Sequence, residues 1–200
     1  MAFLDPKQPT ITHAALEDVG EILTMIHELA DYEKEPDQVV ATEETLRRTL
    51  TFAPSAVGHT NPGYAKTLLL RLPIEPSPQH PNDKPEAVVG MAMYFTSYST
   101  WRAQPGVYLE DLFVKPDYRK RGFGKMLIRE LAREVLRING GRLEWTCLKW
   151  NEPSLQFYRS LGAVEMDEWV RLRVDGEALK RLAVEQAREV QGGHVNATGR

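Results

Sequence analysis

Apolar residues recur at three- and four-residue spacing through Val19, Ile22, Leu23, Ile26, Leu29 and Ala30. That spacing is one face of an amphipathic helix. Glu17, Asp18 and Glu21 fall at its first turn, where carboxylates meet the positive end of the helix dipole. Pro36 disfavours helical backbone just before it, so the helix is expected to end near ADYEKEP. Thr42, followed by Glu43 and Glu44, reads as the N-cap of a second helix. ITHA near Ile11, AKTLLLRL (65–72), AVVGMAMYF (87–95), VYLEDLFV (107–114) and RLEWTCL (142–148) are predicted strands. Phe123, Met126, Leu127, Leu131 and Val135 trace another helical stripe, stopped at Asn139, Gly140 and Gly141. PSLQFYRSLG predicts a short helix, with Pro153 near its first turn and Gly162 at its end. VEMDEWVRLRV (164–174) is predicted as a strand and DGEALKRLAVEQAREV (175–190) as a final helix.

Strands and helices therefore mix, and the class is α/β or α+β. The strand–helix–strand unit from 107 to 148 predicts a local parallel crossover. Prolines 73, 76, 78, 81 and 85 exclude helix and central strand between two predicted strands. The segment 73–86 is expected to be a long hairpin-loop insertion inside one domain. That domain is expected to span 10–190, after an N-terminal arm (1–9) and before a disordered tail (191–200).

Composition narrows the function. At 200 residues and a net charge of −3, the chain suits one compact domain and not a bulk-charge nucleic-acid binder. Cys147 is the single cysteine, which excludes an intramolecular disulfide and a multi-cysteine zinc site. Five histidines show no metal-binding spacing, and no metal is expected. No stretch reaches the ~20 apolar residues of a membrane span. MAFLDPKQPT meets charge too early for a signal peptide, so a cytoplasmic protein is expected, and Asn196-Ala197-Thr198 then reads as a chance glycosylation triplet.

YRKRGFGKML (118–127) sets Gly122 and Gly124 at the start of a predicted helix, although glycine costs a helix roughly 1 kcal/mol against alanine. N–H groups at a helix start lack intrahelical partners and attract anions, and glycine lets a phosphate approach them. Lys115 to Arg133 holds seven basic residues against two acidic ones. A pyrophosphate site is one reading; a packing turn on a solvated basic face is the other. The lysine–serine ending of a P-loop and the three-glycine dinucleotide fingerprint are both missing.

Read as Arg-x-x-Gly-x-Gly after a strand ending in Val-Lys-Pro, this loop resembles the coenzyme A pyrophosphate loop of GNAT N-acetyltransferases. HELADYE, MYFTSYSTW, YLEDLFV, YRKRGFG, WNEPSLQFYRSLGA and DEW…DGEAL extend the resemblance, in order, to the spermidine/spermine acetyltransferase subfamily with its thialysine branch. The resemblance covers roughly residues 10 to 185. It implies a GNAT fold, a mixed central sheet flanked by helices, with acetyl-CoA as cosubstrate and a homodimer.

It also implies roles. Arg119, Lys120, Arg121, Gly122, Phe123, Gly124 and Lys125 would hold the pyrophosphate. Leu112, Phe113 and Val114 would align the pantetheine arm, and Asn151 and Ser154 match a second coenzyme-contacting segment. Tyr158 matches the general acid, since a phenol of ordinary pKa, about 10, keeps a proton to give a departing thiolate. Glu110 matches the base, acting through water. The acceptor is a cation, so acidic and aromatic neighbours are expected: Tyr32, Glu33, Trp101, Asp111, Glu144, Glu168 and Trp169. Adjacent strand residues face opposite sides, so Glu110 and Asp111 share a site only where the strand is distorted, for example by a bulge.

Ser99 stands where polyamine-specific relatives carry an acid. That favours a short amine such as thialysine or a lysine-like side chain over spermidine. Two rivals remain: acetylation of a protein lysine or N-terminus, and a non-catalytic acetyl-CoA-binding interaction module.

Overall fold

Five of the six predicted strands join one mixed sheet, with a short strand at 50–51 that the sequence did not predict, in the computed structural model, which describes residues 8–54, 63–74 and 86–192, the last eight by backbone alone. The strands are β1 (Thr10–His13), β2 (Leu50–Thr51), β3 (Ala65–Pro73), β4 (Glu86–Ser99), β5 (Gln104–Val114) and β6 (Leu143–Trp145). The order is β1-β3-β4-β5-β6, with β2 also pairing β3. The longer neighbours run antiparallel, while β5 and β6 run parallel, as the crossover predicted. β3 and β4 pair as far as Pro73 and Glu86, so the proline-rich stretch does link a hairpin; its residues 75–85 lie outside the described residues, as do 1–7 and 193–200.

The helices are α1 (Val19–Glu33), α2 (Glu43–Thr49), α3 (Phe123–Arg137), α4 (Glu152–Ser160) and α5 (Gly176–Gly192). Thr42 caps α2 as expected, its hydroxyl accepting from Thr45 N–H at 3.2 Å. α1 lays Val19, Ile22 and Met25 on Leu69, Met91, Met93 and Phe113. α3 packs near β3, β4 and β5 and buries Leu127, Leu131 and Val135. Leu68, Leu69 and Leu70 can therefore all be buried, because both faces of β3 are covered. Truncating a fully buried residue such as Met25 to alanine costs about 2–5 kcal/mol.

A buried ion pair fixes the entry to α1. Arg71 Nη2 meets Asp18 Oδ2 at 2.6 Å, and the same oxygen accepts from Ala15 N–H at 2.8 Å. The carboxylate thus ties the turn before α1 to the far end of β3.

Two expectations need correction. The strand predicted over 142–148 pairs only over Leu143–Trp145. The strand predicted over 164–174 is absent: that segment is irregular, with Val164, Val170 and Leu172 more than three-quarters exposed. Its alternation suits a strand, but no described strand pairs with it, and an extended segment without a ladder has no cooperative partner. Internal contacts divide the chain into two compact units, Met1–Leu155 and Gln156–Arg200, with the boundary inside α4.

Candidate active site

The central feature is a break in register between β4 and β5. Met93 pairs with Asp111 and Tyr94 with Leu109, leaving Glu110 without a partner on β4. This is a β-bulge, the distortion that two adjacent acidic residues require if they are to serve one site. Asp111 lies on the face of Met93, the face that α1 packs on, and Glu33 at the end of α1 is near enough for its charge to act on it. Burial raises the Asp111 carboxyl to about 6, with the charges of Glu110 and Glu33 adding to the effect. Burial also raises Glu33. The charges of Glu110 and Glu33 thus act on Asp111, and a cation placed beside Asp111 would favour its ionised form.

The bulge also marks where β5 loses its second neighbour. β6 pairs with Val107, Tyr108 and Leu109 and then stops. Past it, Leu112, Phe113 and Val114 keep β4 on one side, with no described strand on the other. Backbone groups along that side of β5 can receive an extended chain in strand fashion.

The chain then turns through Pro116–Tyr118 into the glycine loop. Lys120 has φ 62° and Gly122, the N-cap of α3, has φ 83°. Glycine reaches that left-handed conformation without a side-chain penalty. It offers no capping side chain, α3 carries no acid in its first turn, and the first helical bond there is Met126 N–H to Gly122 C=O. The N–H groups of Phe123, Gly124 and Lys125 thus precede the helical ladder, with Lys120, Arg121 and Lys125 exposed around them. This donor set fits a pyrophosphate.

Arg119 is placed differently from its neighbours. Its Nε donates to Val114 C=O at 2.8 Å, and its guanidinium lies 5.0 Å from the Tyr32 ring centre and 5.4 Å from that of Phe113. It fastens the loop to β5 and α1. Tyr32 in turn donates to Asn151 Oδ1 at 3.0 Å, which also accepts from Ser154 N–H at 3.3 Å. Asn151 is therefore the buried N-cap of α4 as well as a link to α1.

The remaining expected residues are spread more widely. Trp101 is 92% exposed at the β4–β5 turn. Glu144 stands on β6 opposite Tyr108, paired with Arg142 at 2.6 Å. Tyr158 lies on α4 in the second unit, its ring 5.2 Å from that of Phe157. Glu168 and Trp169 lie in the same unit's irregular segment, exposed. Ser99 is buried. The sequence reading missed Phe95 and Tyr108, whose rings stack 5.0 Å apart on the face of Asp111. Alternation from Asp111 reaches Leu109 and Val107, and only the register slip at Glu110 brings Tyr108 to that face, so no local signal would have found the pair. A cavity of about 260 Å³ lined by Thr51, Tyr64, Lys66, Tyr94 and Thr96 contains none of the carboxylates. Among the described residues no cluster of histidine, cysteine and acidic side chains could hold a metal, and no helix is long and apolar enough to cross a membrane.

Comparison with known proteins supplies the context. The acetyltransferase (GNAT) family model matches residues 58–163. A thialysine N-epsilon-acetyltransferase from Bos taurus is 38% identical over 169 residues, spanning 83% of this chain and 92% of its own. An L-ornithine N5-acetyltransferase from Arabidopsis thaliana is 30% identical over 82% of this chain and 83% of its own. Among solved structures, an integron cassette protein from the mobile metagenome of V. cholerae superposes with a TM-score of 0.64 at 25% identity, covering 88% of this chain and 97% of that one. An aminoglycoside acetyltransferase from an uncultured soil metagenomic sample superposes at 0.62 with 18% identity, over 84% of this chain and 96% of its own, a likeness of fold alone. The family match and the extent of these similarities lead to one conclusion: the chain is a member of the GNAT family of N-acetyltransferases.

Proposed function

We propose that this protein transfers the acetyl group of acetyl-CoA to the terminal amine of a small molecule. The observation that carries the reading is the bulge at Glu110, which gathers Glu33, Glu110 and Asp111 into one negative field beside the open side of β5. A primary amine arrives as a cation, and such a field favours it. The similar proteins named for thialysine and ornithine fit a short amine, as does Ser99 in place of an acid.

Acetyl-CoA supplies a thioester carbonyl, so that the amine nitrogen forms the new C–N bond as the C–S bond breaks. In this reading the N–H groups opening α3, with Lys120, Arg121 and Lys125, hold the pyrophosphate. The backbone of Leu112–Val114 aligns the pantetheine arm, and an N–H there polarises the carbonyl. Asp111 and Glu33 position the ammonium, while Glu110, exposed at the bulge, takes its proton through water. Tyr158 O–H protonates the departing sulfur. Asn151 and Ser154 fix the start of α4. Direct transfer needs no enzyme nucleophile, and Cys147 is assigned none. The homodimer implied by the subfamily resemblance belongs to the same reading, and sedimentation equilibrium tests it.

Release of free coenzyme A thiol from acetyl-CoA tests the reading. Wild type is expected to turn over short amines faster than spermidine or a histone-tail peptide. Tyr158→Phe is expected to lower kcat roughly 100-fold, within the range for a lost general acid, with acetyl-CoA affinity kept. A preference for the peptide would favour a protein acetyltransferase instead. Binding of acetyl-CoA with no turnover on any amine would favour an interaction module.

A further inference from the structure

Arg142, just before β6, and Glu144, at its centre, lie on the face that carries the acceptor carboxylates. Tyr108 pairs with Glu144, and in the antiparallel ladder Phe95 pairs with Tyr108 and Ser97 with Gly106. Alternation along β6 puts Arg142 on the same side as Glu144. The stem of Arg142 crosses Gly106: a Cβ at Gly106 would lie 3.0 Å from Arg142 Cγ and 2.8 Å from Ser97 Oγ. A side chain at Gly106 would displace the serine hydroxyl or the arginine stem.

Three properties of this group are unusual for a merely solvated pair. Arg142 Nε lies 2.6 Å from Glu144 Oε2 as an ion pair without hydrogen-bond geometry, so that buried nitrogen has no hydrogen-bond partner in the described structure, yet the two side chains keep 35% and 43% of their surface. Arg142 Nη2 makes only a long contact, 3.4 Å, to Tyr98 C=O, and its Nη1 has no partner among the described residues. Ser97 Oγ is buried with no hydrogen-bond partner in the described structure. A guanidinium edge and a hydroxyl thus stand ready for a planar anion, with a carboxylate beside them for a cation.

The spacing to the acceptor carboxylates sets what could bridge the two. Asp111 and the Tyr108–Glu144 position are three residues apart along β5, roughly 10 Å at strand rise and less across the bulge. The terminal nitrogen of an extended lysine-like side chain lies roughly 6 Å from its α-carbon. The stacked Phe95 and Tyr108 rings floor the interval between the two charged ends.

We propose that Arg142, Glu144 and Ser97 form a subsite for the α-carboxylate and α-ammonium of a free amino acid whose terminal amine is acetylated. This rests on the amine acetyltransferase reading above and narrows it to zwitterionic substrates. Arg142 takes the carboxylate with Ser97 donating alongside, and Glu144 takes the α-ammonium. The same arginine opposes a polyamine, which would bring a second cation where the amino acid brings an anion.

The test compares matched substrates that differ only in the carboxylate: L-ornithine against putrescine, and L-thialysine against bis(2-aminoethyl) sulfide. Initial rates are taken for wild type, Arg142→Gln and Arg142→Lys, with thermal melts to confirm folding. The subsite predicts that wild type prefers each amino acid to its diamine. Arg142→Gln raises KM for the amino acids roughly 10- to 100-fold, as expected for a lost charge-assisted contact, and leaves KM for the diamines level or lower. Arg142→Lys recovers part of the loss. Equal effects of Arg142→Gln on both members of each pair, or no effect, overturn the subsite while leaving the acetyltransferase reading intact. Turnover of none of the four amines by wild type overturns that reading and the subsite together.

Discussion

Glu110 and Asp111 are consecutive in β5, yet only Asp111 has a partner on β4, and the unpaired Glu110 adds its charge to the field that raises its neighbour. The bulge thus makes an electrostatic pair from two residues that a regular strand would point apart. It stands where β6 stops pairing with β5, so the carboxylates and the open strand side come from one structural event.

The Asp111 carboxyl gives a pH signature. Its pKa rises from 3.8 to about 6 on folding. Between those values the folded protein keeps a proton that the unfolded chain has lost, so stability falls as pH rises through the window. Above it, the cost of holding the ionised form is fully present, on the order of 2–3 kcal/mol. Asp111→Asn should therefore raise the melting temperature near pH 8 and change it little near pH 3. Melts across that range check the slope.

The glycine loop predicts a coupled loss. Gly122 holds φ 83°, and alanine there costs about 1–2 kcal/mol. Gly122→Ala should lower the melting temperature and weaken acetyl-CoA binding at least 10-fold by calorimetry, as the α3 N–H groups lose their alignment. Amine KM should stay close to wild type.

The Asp18–Arg71 pair predicts a stability effect away from the chemistry. Its side chains are 4% and 13% exposed, so Asp18→Ala strands a buried guanidinium. Denaturant unfolding should show a loss of about 3–5 kcal/mol, with catalytic constants near wild type in the protein that remains folded.

Asn151 predicts non-additivity. It caps α4 and accepts from Tyr32 through one oxygen. Asn151→Ala should cost about 1–2 kcal/mol, and Tyr32→Phe about 1 kcal/mol. The double variant should lose less than the sum, because each single change already removes the shared bond.

How much of this could be read in advance depends on what each residue answers to. Helix α1 was legible from its apolar spacing and α2 from Thr42, because both signals are local. The glycines at 122 and 124 named their loop for the same reason. The bulge was legible only as a condition, since Glu110 and Asp111 needed a distorted strand to share a site and nothing local says where register slips. Residues 164–174 alternate like a strand but lack a partner to pair with, and pairing is not written in alternation. Arg142 escaped notice because its meaning comes from Gly106 and Ser97, which meet it only across the sheet.

The most direct measurement is single-turnover and steady-state acetylation of L-thialysine by wild type and Glu110→Gln, followed by product mass and thiol release. The account predicts a monoacetylated product, with kcat roughly 100-fold lower in the variant and acetyl-CoA affinity unchanged. Full activity in Glu110→Gln, or acetyl-CoA binding with no acetylated amine from wild type, would contradict it.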